Sequence, residues 1–197
     1  MRALKKSSIV FLLATILFAY TSCSSKKDSE TAGENTETTE ETIVTNENKM
    51  AKATIQSTSG SSLTGEAVFE DTGSGVKMTL TVSGATPGTH AVHLHETGDC
   101  SASDGTSAGG HWNPTGVAHG NRAEGGDFHK GDIANMEVGE DGTGTLEITA
   151  EDWTIGGGPD SDILEKAVII HGGADDFVSQ PAGNAGARVG CGVIKAE

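Results

Sequence analysis

Positive charge is what this chain has least of. Thirteen Lys and Arg stand against 28 Asp and Glu, a formal net charge of −15. Within residues 50–197 the balance is five Lys and two Arg against 21 acids, or −14. That excludes a nucleic-acid partner, because phosphate backbones are held by clusters of Lys and Arg. A small anion would also be repelled at long range unless its site carries a local positive field. Helix signals are few and Gly is abundant, with 28 residues. The apolar run Ile9–Tyr20 is twelve residues long with one Thr, too short to cross a hydrocarbon core of about 30 Å as a helix. Cysteines number three, at Cys23, Cys100 and Cys191.

The short apolar run reads instead as a signal peptide over residues 1–22, because Arg2, Lys5 and Lys6 form a basic segment before it. Thr21-Ser22-Cys23 resembles a bacterial lipobox, in which the Cys is lipidated and becomes the mature N-terminus. Residues 23–49 then form a disordered acidic tether. Its Ser, Thr, Glu and Asn are relieved only by Ala32, Ile43 and Val44, too little apolar surface to offset the entropy of ordering. The expected protein is exported, periplasmic or at the cell surface, meeting the membrane only through its N-terminal lipid. Cys100 and Cys191 remain as an even pair in such a compartment.

Residues 50–197 are large enough for one core. Strand signals fall over 51–58, which alternates, and over 63–70, 76–82, 89–96, 133–138, 143–149 and 189–195, with 167–171 a short, fully apolar strand ending on a histidine. Turn signals such as Asp71-Thr-Gly-Ser-Gly and Gly139-Glu-Asp-Gly142 fall between them. Eight short strands indicate an all-β domain, an eight-stranded antiparallel Greek-key barrel or sandwich. Two long connections, 97–131 and 172–186, carry the polar chemistry, and loops of that length are usually functional.

Six of the seven histidines lie between His90 and Asp132, and the seventh is His171. His93 and His95 are two apart, so a strand presents both imidazoles on one face. His111, His119 and His129 follow in the glycine-rich connection, with Asp132 three residues after the last. Imidazole suits both copper and zinc, and a carboxylate added to several imidazoles fits tetrahedral zinc. There are more ligands here than one metal needs.

In order along the chain stand His93-Leu-His95-Glu96, Gly110-His111-Trp-Asn-Pro114, His119-Gly120, His129-Lys-Gly-Asp132, Val168-Ile-Ile-His171, Gly183-Asn-Ala-Gly-Ala-Arg188 and Cys191-Gly-Val-Ile194. This series resembles copper/zinc superoxide dismutase, of the bacterial exported lipoprotein type. The resemblance covers most of residues 50–197 and implies dismutation of superoxide to dioxygen and hydrogen peroxide. It implies His93, His95, His111 and His171 as copper ligands, and His111, His119, His129 and Asp132 as zinc ligands. His111 would bridge the metals and supply a proton. Asp175 would join His93 to His119 as an outer carboxylate, and Arg188 would attract and orient the anion beside the copper. Cys100 and Cys191 would form a disulfide tying the first long loop to the last strand.

The chain also departs from the eukaryotic form. Only 16 residues separate His171 from Arg188, without that form's Lys and Glu, and Ala182 stands where that form has a Thr facing the arginine. His90, Trp112 and Trp153 are read as structural, and Asp176 as a solvated or loop-capping acid. A competing reading is a non-catalytic copper- or zinc-binding domain of the same fold. Arg188 discriminates, since a metal carrier has no need of a guanidinium beside copper. For assembly, a homodimer is carried as one option.

Overall fold

The computed structural model describes residues 49–197. The expected signal peptide, the lipidation at Cys23 and the tether as far as residue 48 lie outside the described residues. Nine strands follow in chain order: β1 (Met50–Ser57), β2 (Thr64–Asp71), β3 (Val76–Ser83), β4 (Gly88–His95), β5 (Asp132–Val138), β6 (Gly144–Ala150), β7 (Ala167–His171), β8 (Arg188–Val193) and β9 (Lys195–Ala196). A single turn of 3-10 helix, Thr106–Ala108, interrupts the first long connection.

Every strand pairing is antiparallel, and the order β2-β3-β6-β5-β4-β7-β8-β1 closes because β1 also pairs with β2. This is the expected eight-stranded barrel, with Greek-key crossovers placing β6 beside β3 and β7 beside β4. The ninth strand arises where the expected last strand is interrupted. Ile194 is fully buried, and Lys195–Ala196 beyond it pairs with β1 through Ala51↔Ala196.

Alternation explains the wall. Ala51, Ala53 and Ile55 of β1 point inward, while Lys52 and Gln56 do not. Phe69, Met78, Leu80, Met136 and Ile170 join them in the same core cluster, each large side chain contributing about 1.5–3 kcal/mol by leaving water. On β4 and β7 the alternation fails. His90 to His95 and all of β7 are buried on both faces, because the two long loops fold back over the outer surface there. The histidines and Asp132 singled out in the sequence lie between that wall and those loops.

Candidate metal centre

On β4, Val92 and Leu94 belong to the core cluster, so His93 and His95 stand on the opposite, outer face. A bulge between Val92 and His93 shifts the register against β5 there. The first long loop then returns along the strand. Trp112 N donates to Leu94 O at 2.9 Å, Leu94 N to Gly131 O at 2.8 Å, and Gly131 N to Trp112 O at 2.9 Å. The Trp112 ring sinks into the core, while a bridge between His95 and His111 sets those two side by side. Residue 131 must be Gly, since any β-carbon there would collide with Leu94 O. His171 ends β7 after a second bulge, between Ile170 and His171.

These elements bring four imidazoles together. His93, His95, His111 and His171 are buried, and each offers a ligand atom within 4.8 Å of the others'. Among the described residues, no hydrogen-bond partner meets the buried His93 Nδ1 or the buried Nε2 atoms of His95, His111 and His171. The opposite nitrogens are engaged. His93 Nε2 donates to Asp175 Oδ2 at 2.7 Å, His95 Nδ1 to Gly109 O at 2.9 Å, and His171 Nδ1 to Gly186 O at 3.2 Å. Those partners fix the tautomers and leave three lone pairs facing one another. A buried polar atom without a partner costs about 1–3 kcal/mol, so four converging on one place mark a cation site.

A second cage shares His111 with the first. His111 Nδ1, His119 Nδ1 and His129 Nδ1 lie 2.8, 3.0 and 3.2 Å from Asp132 Oδ1, and His111 Nδ1 is 3.5 Å from His129 Nδ1. Ligands about 2.0–2.1 Å from a tetrahedral zinc sit about 3.3 Å from one another, close to these spacings. His119 Nδ1 makes no hydrogen bond despite its distance from the carboxylate, so the grouping is that of ligands around an ion. Asp132 Oδ2 is held from outside by the N–H groups of His129, at 2.7 Å, and Gly120, at 3.1 Å.

The electrostatics suit metal binding. Burial lowers the pKa of His93 to about 4, against the opposing pull of Asp175. It lowers His95 to about 2 and His171 to about 3, with neighbouring histidines and Arg188 acting in the same direction. At neutral pH these rings are uncharged, the form that binds metal. Burial alone would raise Asp132, but hydrogen bonds from His111, His129 N and Gly120 N outweigh it and hold the carboxylate at about 2. Asp175 is likewise held below the usual carboxylate range, burial being outweighed by His93 and His119. For His119 burial lowers the pKa, but Asp175 and Asp132 together outweigh that and raise it.

The other expected residues take their places around the cages. Asp175 accepts from His93 Nε2 through Oδ2 and from His119 Nε2, at 2.9 Å, through Oδ1, so one carboxylate joins the two cages. Arg188 spans the first loop, donating from Nη1 to Gly105 O and from Nη2 to Gly109 O, both at 2.7 Å. Cys100 and Cys191 form a disulfide with Cα atoms 5.8 Å apart, which places the domain in an oxidising, exported setting. Asp176 caps its own loop, accepting from Val178 N and Ser179 N. The ring nitrogens of His90 lie 2.6 Å from His171 O and 2.7 Å from Thr86 O, a structural bridge beside the site. A cavity of about 270 Å³ opens at His171 between Ser179, Pro181, Ala182 and Asn184, and no charged side chain lines it.

Three supporting residues escape the sequence reading. Arg122 donates to Asp132 O, Lys130 O and the Asp152 carboxylate while stacking on Phe128 and Trp153. It is one of only two arginines in an acidic domain, a signal that could have found it. Asn135 exchanges two hydrogen bonds with the backbone of Asp175, and Gln180 does the same with His119. Nothing local in the sequence marks either amide.

Comparison with known proteins agrees with this geometry. The family described as Copper/zinc superoxide dismutase (SODC) matches residues 63–194. A Superoxide dismutase [Cu-Zn] of Deinococcus radiodurans is 34% identical over 145 residues, covering 68% of this chain and 78% of the relative. Superoxide dismutase [Cu-Zn] 1 of Aquifex aeolicus is 38% identical over 135 residues, covering 66% and 79%. Among solved structures, a SOD-like protein from Bacillus subtilis aligns with TM-score 0.64 at 32% identity, covering 72% of this chain and 96% of that one. A double mutant of a SOD-like protein from the same organism gives TM-score 0.64 at 34% identity, covering 72% and 95%.

Proposed function

The chain belongs to the copper/zinc superoxide dismutase family, and on that premise we propose that it dismutes superoxide at a copper site bridged to zinc. The four-nitrogen cage of His93, His95, His111 and His171 is the copper site, since imidazoles without a carboxylate suit copper. The cage of His111, His119, His129 and Asp132 is the zinc site, three nitrogens and one carboxylate oxygen at tetrahedral spacing. The observation that carries this reading is His111 itself. Its Nε2 is buried and unpartnered in the first cage, and its Nδ1 lies 2.8 Å from Asp132 in the second.

Copper, when bound, supplies a one-electron couple that takes an electron from one superoxide and returns it to a second, while redox-inert zinc holds geometry. The protein's own residues supply the rest. Arg188 gives a local positive charge in an acidic domain and orients the small anion. His111 Nε2 would be open to a proton only while it is released from copper, and would hand that proton to the reduced oxygen species as the bridge re-forms. A second proton comes from solvent, so two superoxides and two protons yield dioxygen and hydrogen peroxide. The reading is tested by metal analysis with a superoxide-consumption assay on residues 50–197. One copper and one zinc per chain with rapid consumption is the expected result, and a metallated but inert domain would overturn it.

The likeness to SOD-like proteins of Bacillus subtilis favours a second reading, a copper-delivery or zinc-buffering domain. Arg188 weighs against it, because metal storage does not require an anion-orienting group beside the metal. Export by the signal peptide over residues 1–22, lipidation at Cys23 and tethering of the 50–197 domain through residues 23–49 complete the proposal, with a homodimer as the assembly. Mass spectrometry of the mature N-terminus and light scattering test those points; a free Cys23 thiol removes the anchor, and a monomer removes the dimer.

A further inference from the structure

The second long loop is fastened in two different ways. Near its start, Asn135 on β5 accepts from Asp175 N at 2.8 Å and donates to Asp175 O at 2.9 Å. Asp175 is thereby fixed to the barrel. The far half of the loop has another anchor. Gln180 Oε1 accepts from His119 N at 2.9 Å, and Gln180 Nε2 donates to His119 O at 3.0 Å. Among the described residues these are the only hydrogen bonds from residues 176–187 to the segment 111–132, which carries the second cage. An amide that meets both the N–H and the C=O of one residue fixes its orientation as well as its position.

The residue so clamped has its ring between the two carboxylates, Nδ1 at Asp132 and Nε2 at Asp175. Gly183 lies directly against it, at φ +62, and any β-carbon there would collide with Asp175 Oδ1 and crowd His119 Nε2. The same stretch, Ser179 to Gly186, walls the cavity that opens at His171. One side of this wall is therefore tied to the second cage, and its other side faces the first.

We infer that Gln180 is a positioning residue that latches the cavity wall over His171 to His119, so that zinc in the second cage fixes the path of the anion to the first. This rests on the metal assignments proposed above. Gln180 belongs to neither cage and acts through His119, although it lines the cavity with its neighbours. Zinc holds the His119 ring, the clamp carries that restraint to the backbone of residues 178–186, and the wall opens less often. Without the clamp, zinc still has all four of its ligands, but the wall keeps only its ties to residues 171–176, through Gly186 O, Ala185 O and Gly183 O, and loses its direct tie to the backbone of the second cage.

Hydrogen exchange of the mature, copper-free protein with and without zinc tests the latch, read on peptides covering 178–186 with zinc content measured in parallel. In the wild type zinc should slow exchange there about tenfold or more. Gln180→Ala should retain one zinc per chain and lose most of that slowing. Gln180→Glu keeps the acceptor for His119 N but not the donor for His119 O, and should fall between. If the alanine variant folds poorly, seen as faster exchange throughout β1–β3, the glutamate variant decides by the same comparison. Wild-type slowing in a zinc-loaded variant overturns the latch, as does zinc binding to the wild type with no slowing at 178–186. A wild type that takes up no zinc overturns the metal assignment and the latch with it.

Discussion

Arg188 and His95 are joined through a single atom: the carbonyl oxygen of Gly109 accepts from Arg188 Nη2 at 2.7 Å and from His95 Nδ1 at 2.9 Å. The shared acceptor settles two things together. It places the proton of His95 on Nδ1, which leaves Nε2 free as a ligand. It also locks the guanidinium, whose other arm is bound to Gly105 O, at a fixed position relative to that ring. Arg188, the proposed anion-orienting group, and the proposed copper cage are thus tied to one another through Gly109.

His171 belongs to the first cage alone, and its removal should separate the two sites. His171→Ala is expected to lose copper and all dismutase activity while keeping about one zinc per chain, measured by elemental analysis. Full dismutation in that variant would remove copper from this cage. Loss of zinc together with copper would show that the cages do not fill independently.

Much of this centre is legible in the sequence, for a physical reason. His93 and His95 obey the period-two rule of a strand, and the ligands keep a fixed order in the chain. The barrel is legible too, from alternation in most strands and from the apolar run of β7, apart from Ile194, where a buried side chain splits the last strand into β8 and β9. Arg122, Asn135 and Gln180 are not legible from alternation or motif. Each bonds largely to backbone groups, Asn135 and Gln180 to ones far away in sequence, Asp175 and His119, and Arg122 to nearer ones, Lys130 and Asp132. Any polar side chain of suitable length can make such bonds, and only the folded loop selects which one does.

The disulfide should contribute to stability and to the site together. Cys100 and Cys191 are 91 positions apart, and closing a loop of that length restricts the unfolded chain by up to about 4–5 kcal/mol. Cys100→Ser should lower unfolding free energy by a large part of that amount. Because Arg188 holds Gly105 and Gly109 of the tethered loop, copper affinity should fall as well. Denaturant titration and copper competition measure the two effects, and an unchanged copper affinity would show that the loop holds itself.

Acid should destabilise the metal-free domain before it reaches the carboxylates. His93, His95 and His171 have folded pKa values of about 4, 2 and 3 against 6.5 for the free group. A depressed folded pKa means stability that is present above about 6.5 and lost as pH falls toward the folded value, at about 1.4 kcal/mol per pH unit for each group. His119, whose pKa is raised, opposes this with the opposite sign. The net expectation is a steady fall in unfolding free energy from pH 6.5 to pH 4. Denaturant unfolding of metal-free protein across that range measures it, and a flat profile would mean that the rings take up protons as readily in the folded chain as in the unfolded one.

The final prediction concerns charge at a distance and charge at close range. The domain carries −14, so its far field should repel a small anion. At the site Arg188 reverses the sign, while the cavity wall from Ser179 to Gly186 contributes no charged side chain of its own. Salt screens charges over about 8–10 Å at physiological strength, so it weakens the distant repulsion more than the short-range attraction. Activity should therefore fall little, or rise, from low to moderate ionic strength. Arg188→Lys keeps the charge but cannot span Gly105 O and Gly109 O as a planar fork does, and should lie between wild type and Arg188→Glu. The glutamate variant should lose at least about tenfold in rate, about 1.4 kcal/mol of transition-state access, with both metals retained. Rate against ionic strength at fixed metal content is the measurement. A steep wild-type decline would show attractive steering from elsewhere on the surface, and a glutamate variant at full rate would take Arg188 out of the mechanism.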